Sequence, residues 1–538
     1  MALPVASLRI GAALSLVVLL TACTGSAPTI PVSGSATMGT RVGAVEPVAP
    51  RDLGFAPTLP GVVTPRCVNA PAGWLAAEQS RRAGVADLPD TVRAVRASRL
   101  AGVQGYLDRG YAACGERIGL HLSAPHPTSV VVEALRVGSY GGHSLRLVWR
   151  SPRLLVRQQP RLPATPHATV DNAWPVAVDL RPTGAWAPGL YLLELHPQVG
   201  VRGLRLPTTY QSLVVLSSGT PATYLAVESD LTQLAYDDAG GSSLYLGPGL
   251  TGRQQVASRR WFASPHRGLA GAGVTQLLAR DVPLAVVLGH LGVTADWTTD
   301  TSLDADPAQL RGRVTVLLPG HSEYWTRRAY DALRAAVRSG TNLANLGGNE
   351  IYWQARVLRD AAGAVSEMVV YREAALDPVR DRASTTSEWR DAPLLRDPAD
   401  LTGLGKGGVG ITGSGVVVGA GTAVLAGTGL HQGQVLASVY GNEGDTLSDA
   451  HVPRDDVVLL RSDARTRSGS VAPLATVVHR DVGGAGVFDA GTTEWLCAIT
   501  GSCSDGARTP AVRRALDTIT ANVLHALDHL RAGSALVA

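Results

Sequence analysis

The sequence predicts an α/β protein in two parts: an all-β sandwich over residues 99–218, then a doubly wound α/β domain over 219–538. Three observations predict it. Short runs with period-two alternation recur between turn residues in the first part, as in an antiparallel sandwich. After Thr220-Pro221, apolar strand-like runs alternate with helical patterns, which argues for a parallel sheet covered by helices. Two polar-aromatic clusters stand directly after such runs, where open α/β sheets bind ligands.

The amino terminus sets the compartment. Arg9 precedes an apolar run from Ile10 to Leu20, too short for a comfortable membrane span, and Leu20-Thr21-Ala22-Cys23 follows. That tetrad resembles a bacterial lipobox. The resemblance implies a signal peptide over residues 1–22, cleavage before Cys23, and a lipoprotein carrying diacylglycerol on the Cys23 sulfur and palmitate among its acyl chains. Such a protein is held by its lipid on the extracytoplasmic face of a cell membrane. Residues 23–60, rich in Pro, Gly, Ser and Thr, read as a flexible tether. The segment 61–98 mixes irregular and helical patterns around Trp74 and has no functional reading.

Export agrees with the cysteines. With Cys23 set aside, Cys67, Cys114, Cys497 and Cys503 remain, and four cysteines allow three pairings. Cys497 and Cys503 flank a Gly-Ser turn, so the expected disulfides are Cys497–Cys503 and Cys67–Cys114. No cysteine is then left as a nucleophile. The net charge is +4, and Lys406 is the one lysine among singly scattered arginines, which excludes a nucleic-acid stripe.

Within the sandwich the strand-like runs are Arg117 to Ser123, Ser129 to Val137, Ser144 to Trp149, Gly189 to Leu195 and Gln211 to Leu216. None gathers acids and histidines, so the sandwich reads as a scaffold or a carbohydrate-type recognition platform. In the second part the strands are expected at 222–227, 293–297, 314–318 and 342–346. Helices are expected at 282–291, 325–338 and 510–531. In the 325–338 helix Tyr330, Leu333 and Val337 share one face, and Gly340 stops it. The Gly-rich stretch 401–478 reads as a β-rich insertion.

Three segments converge on the carboxyl edge of the expected sheet. They are Tyr236 to Tyr245 after the first strand, Gly320-His321-Ser322-Glu323-Tyr324-Trp325, and Gly348-Asn349-Glu350-Ile351-Tyr352-Trp353. Tyrosine and glutamate are hard oxygen donors, and with a histidine two residues from the glutamate they suit a hard cation such as iron. A phenol, with its pKa near 10, ligates only when deprotonated, which a bound cation favours.

These motifs, with Arg136-Val-Gly-Ser-Tyr-Gly-Gly142 and Trp186-Ala-Pro-Gly-Leu-Tyr191 upstream, resemble the carboxy-terminal domain of the N,N-dimethylformamidase large subunit and its actinobacterial relatives. The resemblance implies a glutamine-amidotransferase-like fold and a mononuclear iron held by two tyrosines and a glutamate. By motif these are Tyr236, Tyr245 and Glu323, with His321 and Asn349 as neighbours. Here the tyrosines lie only nine residues apart, against a long insert in the enzyme. The implied reaction is hydrolysis of a small amide or related C–N bond. His321 would be base or water-orienting group, and Asn349 a donor to the oxyanion. Glu350, Glu443 and Asp300 are further acids, each readable as simply solvated. The competing reading is a non-catalytic lipoprotein that binds an envelope glycan or partner on the same fold. A small partner subunit or a homo-oligomer is compatible with either. A cysteine-dependent amidotransferase is disfavoured because there is no GxCxG elbow.

Overall fold

The structure is a computed structural model, and it describes residues 78, 84–97, 102–160, 173–198, 206–217, 222–237, 243–245, 253–257, 276–361, 363–447, 456–503, 506 and 508–538. The leader, Cys23, the tether and Cys67 lie outside the described residues. Among those described, no helix is long and apolar enough to cross a membrane.

The sandwich forms from the alternating runs. Strands Thr128–Tyr140, His143–Arg150, Gly189–Pro197 and Thr209–Val215 belong to a seven-stranded sheet, and Gln104–Leu107, Ile118–Ser123 and Val176–Leu180 form a three-stranded one. Side chains of a strand point alternately to its two faces. Val130, Val132 and Ala134 accordingly join the core with Leu120, Leu122 and Leu193, while Leu135 and Val137 join a second core with Leu278, Val282 and Leu288. The larger sheet is therefore buried on both faces, the second against helix Val282–His290. Gly289 permits that contact, because a Cβ there would stand 2.8 Å from the backbone nitrogen of Ser139.

In the second part the expected elements form at Tyr224–Glu228, Val282–His290, Ala295–Thr299, Thr315–Leu318, Arg327–Arg338, Asn342–Asn345 and Pro510–Ala526. Their assembly corrects the expected fold class. Among the described residues there is no doubly wound α/β domain; the protein is predominantly β, with 38% strand against 23% helix in several sheets. In the central sheet, parallel pairing links Ala295–Thr299, Tyr224–Glu228, Thr315–Leu318, Asn342–Asn345 and Gly486–Asp489. The same nine-stranded sheet then continues antiparallel through Val471–Arg480, Val457–Arg465, Gly405–Val417 and Val435–Thr446. The stretch read as an insertion thus supplies four strands of the central sheet. Its period-two signal was hidden by glycines and by the register shifts that interrupt the pairing of Gly405–Val417 with Val435–Thr446.

A four-stranded sheet stands apart from the central one, and its strands Tyr324–Thr326 and Trp353–Arg359 run parallel, Tyr324 opposite Trp353. It brings the ends of the two polar-aromatic motifs side by side. Cys497 and Cys503 are joined in a disulfide as expected. Cys114 is also disulfide-bonded.

Candidate functional site

Tyr236 ends the helix Asp230–Tyr236, which begins two residues after the central strand Tyr224–Glu228. His321 and Glu323 occupy the loop after Thr315–Leu318. That loop is held from behind: Gly320 N–H donates to the Arg280 carbonyl, and the Glu323 and Tyr324 amides donate to Thr232 Oγ1 at 2.9 and 3.3 Å. The next loop, Gly347 to Trp353, packs still closer. A Cβ on Gly347 would lie 2.3 Å from the Pro319 carbonyl oxygen, and one on Gly348 would lie 2.9 Å from Thr492 backbone. Asn349 and Ile351 both take positive φ, at 54° and 53°. For a β-branched isoleucine that is a strained backbone, of the kind that gathers at functional sites.

The structure brings Tyr236, Tyr245, His321 and Glu323 together. Tyr236 and Tyr245 donate their hydroxyls to the same carboxylate oxygen, Glu323 Oε2, at 3.0 and 2.7 Å. His321 Nε2 lies 3.4 Å from that oxygen and 3.4 Å from Tyr236 Oη. The two phenol rings stack with centroids 4.1 Å apart, so the short spacing in sequence still delivers both hydroxyls to one point. Glu323 Oε1 accepts the Trp353 indole N–H at 3.0 Å, which fixes the carboxylate plane. His321 Nδ1 meets the Gly348 carbonyl at 3.0 Å. Because only a protonated nitrogen can donate to a carbonyl, this contact leaves Nε2 to face the phenols and the carboxylate.

Electrostatics follow from burial and this packing. Burial opposes ionisation of Glu323, but the His321 hydrogen bond and the Lys406 charge overcome it and hold the carboxyl down at about 2. Burial likewise opposes charge on His321, yet Glu323 and Glu443 raise its pKa above the ordinary value. Burial and then the Glu323 charge push both phenols well up. The centre is an ionised carboxylate ringed by proton donors.

Asn349 stands one step away. Its side-chain N–H donates to Glu443 Oε2 at 2.7 Å, and its backbone N–H to both oxygens of Asp445 at 3.0 and 2.8 Å. One of the two side-chain N–H groups is thus taken by Glu443. Glu443, which belongs to the stretch read as an insertion, has a charge that acts on both Tyr236 and His321. Sequence reading named Glu443 among loose acids; only the strand pairing of 435–446 reveals its place beside the centre. The Lys406 ammonium lies 3.8 Å from Glu443 Oε2 and 4.0 Å from the centroid of the Tyr352 ring. Lys406, Tyr352, Glu350 and Asp445 line a cavity of about 190 Å³ behind Asn349.

Glu350 and Asp300 are not solvated. Glu350 is buried with neither carboxylate oxygen bonded, and burial together with Asp445 and Asp489 raises its pKa well above the usual range. Asp300 belongs to a buried group with Glu228, Asp230 and Asp281, outside the tyrosine centre. Glu494, Cys497 and Cys503 also lie together, but the disulfide occupies both sulfurs.

Residues 131–507 match the N,N-dimethylformamidase beta subunit-like, C-terminal family. The chain belongs to that family. The match begins inside strand Thr128–Tyr140, so the family unit takes in part of the larger sandwich sheet as well as the central sheet. No curated protein matches the chain.

Proposed function

We propose that this member of the N,N-dimethylformamidase-like family is a membrane-tethered, extracytoplasmic amidohydrolase that cleaves a small amide or related C–N bond at an iron-dependent centre. The observation that carries the proposal is the convergence of Tyr236 Oη, Tyr245 Oη and His321 Nε2 on Glu323 Oε2. Three hard oxygens meeting at one buried point form a donor set that fits a hard cation, which would replace the two phenolic protons. Tyr236, Tyr245 and Glu323 would hold it. When bound, such an ion polarises an amide carbonyl or acidifies a water.

The chain's own groups supply the rest. Trp353 and Thr232 hold Glu323 in place from both sides. His321, fixed through Nδ1, can hold a proton at Nε2 and deliver it to a departing amine, and Glu443 keeps that proton favourable. Asn349, held by Glu443 and Asp445, has a second side-chain N–H that would serve a developing oxyanion. Membrane tethering rests on the Leu20-Thr-Ala-Cys23 motif and is tested by the loss of membrane partitioning and of the lipid mass in Cys23→Ser.

Purified protein lacking the leader is expected to carry about one iron per chain and a visible phenolate-to-iron band. Glu323→Ala should lose metal and colour together, and His321→Ala should keep most of the metal while losing amidase activity. Wild type that takes up no iron from iron-replete medium overturns the hydrolase reading in favour of a binding lipoprotein.

A further inference from the structure

The two tyrosines at the centre have unlike surroundings, and the difference originates in two residues that the proposed chemistry does not use. Tyr245 Oη is 2.7 Å from Tyr324 Oη. Tyr245 has one hydroxyl proton, and it goes to Glu323 Oε2 at 2.7 Å. In the Tyr245–Tyr324 contact Tyr324 must then be the donor and Tyr245 the acceptor. The Arg372 charge also acts on Tyr324. The guanidinium of Arg372 lies over the Tyr245 ring, 4.7 Å from its centroid, and 5.6 Å from that of Trp353. Arg372 Nη2 is fixed by the Leu244 carbonyl at 2.9 Å. The hydrogen bonds run in one direction, from Tyr324 to the oxygen of Tyr245 and on to Glu323, with the Arg372 charge beside them. Tyr324 is fully buried, so no water competes for that proton. Tyr236 is placed differently: its hydroxyl meets Glu323 and the His321 imidazole, with the Tyr245 phenol alongside.

We infer that Tyr324 and Arg372 are positioning residues that act on Tyr245 alone, through the Tyr324 hydroxyl donated to the Tyr245 oxygen, and so make the two tyrosines unequal ligands. The inference rests on the iron-centre reading above. A hydrogen bond and a cation at one phenolate oxygen lower the energy of its electrons, which weakens its donation and moves its charge-transfer band to shorter wavelength. They also hold the oxygen in the direction a ligand must point, as the outer partners of metal ligands do. Arginine suits this role, because its planar guanidinium can lie on the Tyr245 ring while an N–H stays fixed by the Leu244 carbonyl.

The test uses the leaderless protein loaded with ferric iron, with the visible band and iron affinity as readouts. Tyr324→Phe should move the Tyr245 component to longer wavelength and weaken iron binding by about 10–100-fold, the usual cost of losing an outer partner. The shift should persist when Tyr324→Phe is combined with Tyr236→Phe and vanish when it is combined with Tyr245→Phe. Arg372→Met should shift the same component in the same direction, and Arg372→Lys should restore part of it. A band that shifts equally in the Tyr245→Phe background, or that does not shift in Tyr324→Phe, overturns the inference while leaving the iron centre standing. A wild type that stays colourless and iron-free overturns both readings.

Discussion

Two buried carboxylates with phenolic neighbours show how differently this fold treats charge. In the sandwich, Glu78 receives the Nε and Nη2 of Arg146 and the hydroxyl of Tyr140, and Tyr140 receives Arg136 Nη1 at 2.8 Å. Two guanidinium groups face one carboxylate there. At the candidate centre, Glu323 receives two phenols, an indole and an imidazole edge, with no guanidinium on the carboxylate itself. The first cluster is complete as it stands. The second is short of positive charge at the point where its oxygens meet, and that deficit separates a structural polar core from a site.

The comparison is open to three tests. The largest effect belongs to Glu78→Ala, which strands Arg146 in a buried position with side-chain exposure of 9%. Breaking a buried pair costs about 3–5 kcal/mol. Chemical denaturation should show that loss while iron per folded chain stays at the wild-type level. A stability change under about 1 kcal/mol would mean that the sandwich cluster is not the balanced one.

The second test exploits pH. Burial, followed by the charges of Asp281 and Asp230, raises the pKa of Glu228 well above its ordinary value. The folded form then keeps a proton that the unfolded chain releases above about pH 4.3, so stability falls as pH climbs from there towards the folded pKa. Glu228→Gln lacks this loss. Its advantage over wild type should grow by about 1.4 kcal/mol per pH unit in that interval and be absent below it. Denaturant midpoints that track each other from pH 4 to 8 would show that Glu228 is ionised in the fold.

The smallest effect concerns the join between the two regions. Gly289→Ala sets a methyl against the backbone at Gly138 and Ser139. It should cost about 1–2 kcal/mol by overpacking, read as a lower Tm, with the visible band unmoved. A change in the band would show that the sandwich sets the geometry of the centre.

Much of the local structure was legible because it is written in local periods. The 3.6-residue stripe of Tyr330, Leu333 and Val337 gives the helix Arg327–Arg338, and the alternation through Val130, Val132 and Ala134 gives a strand whose two faces enter different cores. The loops that carry Tyr236, His321 and Glu323 were placed by such elements, whereas the choice of these residues and Tyr245 as a ligand set came from the family resemblance. Sheet order was not, because pairing partners such as Asn345 and Asp489 are set by contacts across some 144 residues. Glu443 went unrecognised as a neighbour of His321 because its strand is broken by bulges and glycines, and nothing local marks the register that carries it to Asn349. The unequal surroundings of Tyr236 and Tyr245 depend on Arg372, more than a hundred residues downstream, and no spacing in the sequence encodes that contact.

Lys406 carries a last consequence. It is the one lysine in the chain, it keeps 19% of its side-chain surface exposed, and it lies beside Glu443 and Tyr352. An amine-selective acylating reagent therefore has a single side chain to find in the whole protein, and that side chain lines the cavity behind Asn349. The mass added at one peptide becomes a clock for access to that cavity, with no engineered label and no knowledge of what the cavity holds.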